Sequence, residues 1–234
     1  MKQQIKISTL GIALLATTPL HALEFSGGEV FVSRLTDDFS GATEQTDIIG
    51  GSGELRFGAF GLQADVSNRN FVAGDNIPSW GLHGFYAFSE NLKAGIHYGQ
   101  EDWNGFRYSN TGVELAYQRG AWDLEAYFYE DHGLDDDWDS TVGGLNAEFG
   151  LNEQFSLHGN LAVSSGDDDI IYYGIGGTWH HRSGAFVRLD AGRFDDRDRG
   201  EDASVFALRV GFEFGNGVTF SHRNLNENLP GYGN

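Results

Sequence analysis

No cysteine occurs among the 234 residues, proline appears 3 times and methionine once. Without thiols there is no disulfide framework to hold the fold. No run approaches about 18 consecutive apolar residues, which excludes transmembrane helices. Basic side chains are scarce too: 15 Lys and Arg stand against 34 Asp and Glu, for a formal charge of −19. So acidic a chain does not seek an anionic lipid surface, and nucleic acid is excluded as a partner. What it has in excess is glycine, 34 residues, far above the usage of ordinary globular proteins.

The opening MKQQIKISTLGIALLATTPLHA places Lys2 and Lys6 before an apolar run over residues 10–16, then Pro19 and the small residue Ala22. This predicts a secretory signal peptide over residues 1–22, too short in its apolar part to stay as a membrane anchor. The mature chain then starts at Leu23, and export removes two lysines and no acid. The remaining residues form a single body over 23–214, followed by an extension over 215–234.

From about Thr46 onward apolar and polar residues alternate in stretches of roughly ten, which is the strand period, sustained longer than in typical soluble strands. One parity carries Trp80, Leu82, Tyr86 and Phe88, later Ile171, Tyr173, Ile175 and Trp179, and finally Phe206, Leu208, Val210, Phe212 and Phe214. The other carries Glu54, Arg56, Asp65, Lys93, His97, Glu114, Asp123, Glu125, Glu148, Arg188, Asp190, Arg209 and Glu213 among glycine, serine and asparagine. Two faces this different call for two different solvents.

Short turns near Ala59, Asn91, Gly120, Asn152, Ser183 and Asn216 alternate with longer connections near residues 36–47, 68–79, 101–110, 131–140, 165–169 and 195–203. Aromatic residues gather in two belts: Phe57, Phe60, Phe88, Trp122, Phe149, Phe155, Trp179 and Phe212 beside the short turns, and Trp80, Tyr98, Phe128, Tyr173 and Phe206 toward the loops. Tyr and Trp prefer the headgroup level of a bilayer. Together these features predict an all-β fold, an antiparallel up-and-down transmembrane β-barrel of about 12 strands, with short periplasmic turns and longer acidic extracellular loops.

On these residues the chain resembles the bacterial outer-membrane β-barrel proteins, and among them the porins. FALRVGFEF, residues 206–214, looks like the closing strand of that family, which the barrel-assembly machinery recognises. The resemblance implies residence in the cell outer membrane, contact with its lipid and lipopolysaccharide, and passive passage of small cations or hydrophilic solutes without a cofactor. Two departures stand out: about twelve strands are fewer than general porins have, and twenty residues follow Phe214.

The charged parity is expected to line the lumen, and the loop aspartates Asp37, Asp38, Asp102, Asp135, Asp136, Asp137, Asp139, Asp167, Asp168, Asp169, Asp195 and Asp196 to form an acidic outer rim. Twelve strands tilted by about 40° enclose a backbone cylinder of about 12 Å radius, leaving a narrow, mixed-charge bore. The rim would concentrate cations and the bore would set a size limit. The alternative is a closed barrel serving as a scaffold or a surface interaction protein.

The helix-loop-helix calcium loop fits poorly, because DHGLDDDWDS sets aspartates side by side and its glycine too early; carboxylates pooled from two or three loops around a divalent cation stay open as an alternative to a solvated rim. The histidines share no metal-ligand spacing along a strand, and no metal or catalytic residue is expected. FSHRNLNENLPG is similar to the motif of outer-membrane lipid A deacylases and phospholipases, but no serine follows His222 where the nucleophile belongs. Asp131-His132 supplies the residue types of barrel proteases. The extension is expected as an extra strand, a periplasmic tail, or a partial plug of the lumen.

Overall fold

The computed structural model describes residues 23–38, 43–71, 76–135, 137–167 and 169–221; residues 1–22, Asp136, Asp168 and the motif from His222 onward lie outside them. The alternating stretches become β1 (Glu24–Asp37), β2 (Glu44–Phe57), β3 (Phe60–Phe71), β4 (Asn76–Ala87), β5 (Leu92–Trp103), β6 (Phe106–Arg119), β7 (Trp122–Gly133), β8 (Asp139–Gly150), β9 (Phe155–Gly166), β10 (Ile170–His180), β11 (Ala185–Asp196) and β12 (Glu201–Gly215). Each pairs antiparallel with its neighbours in sequence, and β1 closes on β12. Closure leaves no exposed sheet edge. Strands of 11 to 15 residues, rising about 3.3 Å per residue and tilted by about 40°, reach roughly 30 Å along the axis, enough to cross a bilayer core.

The apolar parity faces outward. Ile175, Leu189, Ile96 and Val66 are exposed at mid-strand, with Phe57, Phe88, Trp122, Trp80, Tyr98, Phe128 and Phe206 nearer the strand ends. Toward the outer end this face turns polar: Arg34 pairs with Asp47 across β1 and β2, and Arg193 with Asp202 across β11 and β12. Those pairs mark where an apolar band would give way to headgroups.

The inner face is not the polar wall that composition suggests. Phe31, Phe85, Tyr127 and Phe186 point inward, and each lies directly across from a glycine of the adjacent strand: Gly50, Gly61, Gly144 and Gly211. A Cβ on any of these glycines would overlap the ring it faces. Glycine here is a seat for a flat aromatic, which accounts for part of its abundance. In the outer half, Leu35, Tyr127, Tyr129, Val142, Ala162, Ile170, Tyr172, Phe194, Ala203 and Val205 form one buried cluster along β1 and β7 to β12, with Trp138 against it. In this sector the expected narrow, mixed-charge bore is instead lined by packed aromatic and aliphatic side chains.

The outer connections are shorter than expected, because alternation runs on into the acidic segments. Residues 101–110 form a two-residue turn at Asn104 and Gly105, both with positive φ (54° and 94°), the hairpin geometry that an Asn-Gly pair favours.

Candidate functional site in the barrel lumen

Four groups of inward side chains make up the lumen. At the short-turn end, Ser26 sits where the β1–β2 register shifts, and this bulge turns its hydroxyl onto Glu54 Oε1 at 2.8 Å. Glu54, 1% exposed, also accepts from Arg56 at 2.7 Å. Asp123, Glu148 and Glu213 line the cavity near this end, and Lys93 is half-buried there.

At mid-height His83 is fully buried between two carboxylates. Its Nδ1 is hydrogen-bonded to Glu114 at 2.8 Å, and its Nε2 faces the Asp65 carboxylate at 2.5 Å. His97, its cross-strand partner, lies against it with ring centroids 4.4 Å apart and planes tilted by 35°. Spacing along one strand does not reveal this pair, because the contact spans two strands.

On the opposite wall His158 Nε2 lies 2.6 Å from Asp190, which also binds Arg188 at 3.1 Å. Arg209 lies over the Phe31 ring, 4.1 Å from its centroid. These groups border a cavity of about 360 Å³ with Glu125, Asn146 and Asn160.

The fourth group is the chain's own end. Gly215 and Gly217 have φ of 66° and 70°, so the backbone leaves the sheet and turns into the barrel instead of continuing as a strand. The Asn216 amide donates to the Ser26 carbonyl at 2.9 Å. The Thr219 amide donates to Glu54 at 2.8 Å, while Arg56 and Lys93 both reach its hydroxyl at 3.2 Å. Gln63 clamps the Phe220 backbone at both ends, accepting from its N–H at 3.1 Å and donating to its carbonyl at 2.8 Å. The Phe220 ring, 0% exposed, stacks on His83 at 5.7 Å and meets Phe85 edge-on at 5.6 Å. Ser221 donates through both amide and hydroxyl to Glu125, at 2.9 and 2.6 Å.

The outer aspartates do more than face solvent. Asp38, Asp135, Asp137, Asp139 and Asp167 are exposed, while Asp102, Asp169 and Asp195 are half-buried. Asp37 and Asp196, expected on the rim, are instead buried on the inner side at 1% and 5%, because β1 and β11 extend through them. Several of the others accept backbone amides: Asp167 from Asp139 at 2.7 Å, Asp102 from Gly105 at 2.8 Å, and Asp38 from Ser204 at 2.5 Å. Asp135 accepts from the Arg107 amide and guanidinium, and that guanidinium holds its carboxyl below the usual carboxylate range. Crowded aspartates thus tie the ends of neighbouring strands.

Among the described residues no three His, Asp or Glu side chains converge as metal ligands. Asp131 and His132, adjacent on β7 rather than in a loop, point to opposite sides: Asp131 is buried inside, and His132 binds Asp139 outside.

No protein-family model and no curated protein sequence matches the chain. Solved structures do. The KdgM porin in complex with disordered oligogalacturonate superposes with a TM-score of 0.64 at 11% identity, over 80% of this chain and 99% of that one. A second structure of the KdgM porin gives 0.60 at 13% identity over the same shares. An outer-membrane channel from Pseudomonas putida F1 gives 0.61 at 13% identity, over 84% of this chain and 97% of that one. This is the fold of the bacterial outer-membrane porins. Barrels of this fold reside in the cell outer membrane, and the outward apolar band described above fits that location.

Proposed function

We propose that the protein is a narrow outer-membrane channel for passive passage of ions and small hydrophilic solutes, with a preference for cations. The observation that carries this reading is the charge of the inner face of a closed barrel. Glu29, Glu54, Asp65, Glu101, Glu114, Asp123, Glu125, Glu148, Asp190 and Glu213 face fewer inward cations: Arg56, Arg69, Lys93, Arg188 and Arg209. In a low-dielectric wall such carboxylates favour cations and oppose anions. The KdgM porin that resembles this chain was solved with oligogalacturonate, an acidic sugar chain. The wall described here weighs against a polyanion as its solute.

Catalysis is not part of this reading. The Ser221 hydroxyl is engaged by Glu125, and the Asp131 and His132 side chains diverge. A second reading, a closed scaffold, draws support from the buried aromatic and aliphatic cluster in the outer half.

Planar-bilayer recording of the mature chain separates the two. The channel reading expects small conductance with a reversal potential on the cation side. A silent membrane across all voltages would favour the scaffold, and anion preference at low salt would overturn the cation assignment.

A further inference from the structure

Building on the channel reading, we infer that residues 216–221 are a resident plug, bound in a lumenal site shaped for an extended peptide with an aromatic side chain, and that passage requires their release.

The course of the segment supports this. Its anchors lie on β1 (Ser26), β2 (Glu54), β3 (Gln63), β7 (Glu125) and β8 (Asn146). In the closed strand order β2 and β7 are on opposite sides of the barrel, so the chain crosses the bore from wall to wall. Six residues reach at most about 20 Å, which matches the lumen of a barrel of about 12 Å backbone radius. A terminus that served only to finish the sheet would lie along one wall.

The contacts are those of a recognition site. Gln63 reads Phe220 through both its N–H and its C=O, Glu54 and Glu125 take the amides of the residues on either side, and His83 with Phe85 receives the ring. Backbone amides carry no net charge and donate hydrogen bonds at fixed spacing, so this pattern selects extended peptide over a bare ion. It also engages Glu54 and Glu125, two carboxylates a passing cation would otherwise meet. With the segment in place, the lumen is obstructed and part of its cation-attracting charge is occupied.

The chain has no cysteine, so a tether can be placed cleanly. Asn146 Nδ2 and Ser221 Oγ are 3.2 Å apart. The full-length N146C/S221C chain, bridged by a short reducible bis-thiosulfonate, should lose conductance in a planar bilayer and recover it on adding reductant. Full-length Phe220→Ala, which removes the ring but keeps the backbone, should open more often than wild type. Acetylated Val-Thr-Phe-Ser added to that variant should close it again, and the same peptide with alanine for phenylalanine should not. Equal conductance of the bridged and reduced chains overturns the plug while leaving the channel intact. Silence of both the reduced chain and Phe220→Ala would instead overturn the channel reading, and the plug with it.

Discussion

The seats under the inward rings are the residue-scale feature on which the lumen depends. Gly61 and Gly144 lie flat beneath Phe85 and Tyr127, and each ring occupies the space a side chain would need. Gly61→Val or Gly144→Val should therefore overpack the inner face and cost about 1–3 kcal/mol. Urea titration of the barrel folded into lipid vesicles reads that loss, and unchanged midpoints would mean that the rings move aside freely. Because Phe85 also borders the Phe220 ring, Gly61→Val carries a second consequence: a displaced Phe85 should loosen the terminal segment. None of this could be seen along one strand. A glycine and the ring it supports are far apart in sequence, and only the pairing of β3 with β4 or β7 with β8 brings them together.

At the scale of the element, each strand has to satisfy two solvents at once. Ile175, 74% exposed, stands in the middle of β10 on the outward side. Ile175→Arg should cost about 2–4 kcal/mol in vesicles, as for a charge at the bilayer midplane of such barrels. A cost under about 1 kcal/mol would place water, not hydrocarbon, against that face. Strand identity was legible because alternation with period two is local, and the strands run from Glu24 to Gly215. The outer ends were less so. Acidic composition suggested loops, whereas Asp37 and Asp196 keep the alternation and turn inward. The Asn104-Gly105 hairpin was written in the chain, but was masked by the expectation of a longer connection.

For the whole molecule, charge and closure act together. The formal charge of −19 is spread between a rim whose aspartates hold backbone amides and an inner wall where carboxylates outnumber cations. If that field sets selectivity, the cation preference should be strong at about 0.1 M salt, where the Debye length is about 10 Å, and fade near 1 M, where it is about 3 Å. Reversal potentials measured across a fixed salt ratio at rising total concentration test this. Selectivity that persists unchanged would point to a dehydrating constriction instead of diffuse charge.

What the chain by itself determined is the architecture: two-faced ribbons joined by turns, aromatic belts and no thiols leave few options besides a closed barrel in a bilayer. Only the tertiary structure decided what fills that barrel. Which rings meet which glycines, that His83 sits between Asp65 and Glu114, and that residues 216–221 cross the bore all depend on contacts between distant strands. The physical reason is one of range. Alternation is set by neighbours along the chain, whereas the contents of a lumen are set by register and closure, which couple every strand to the first and last.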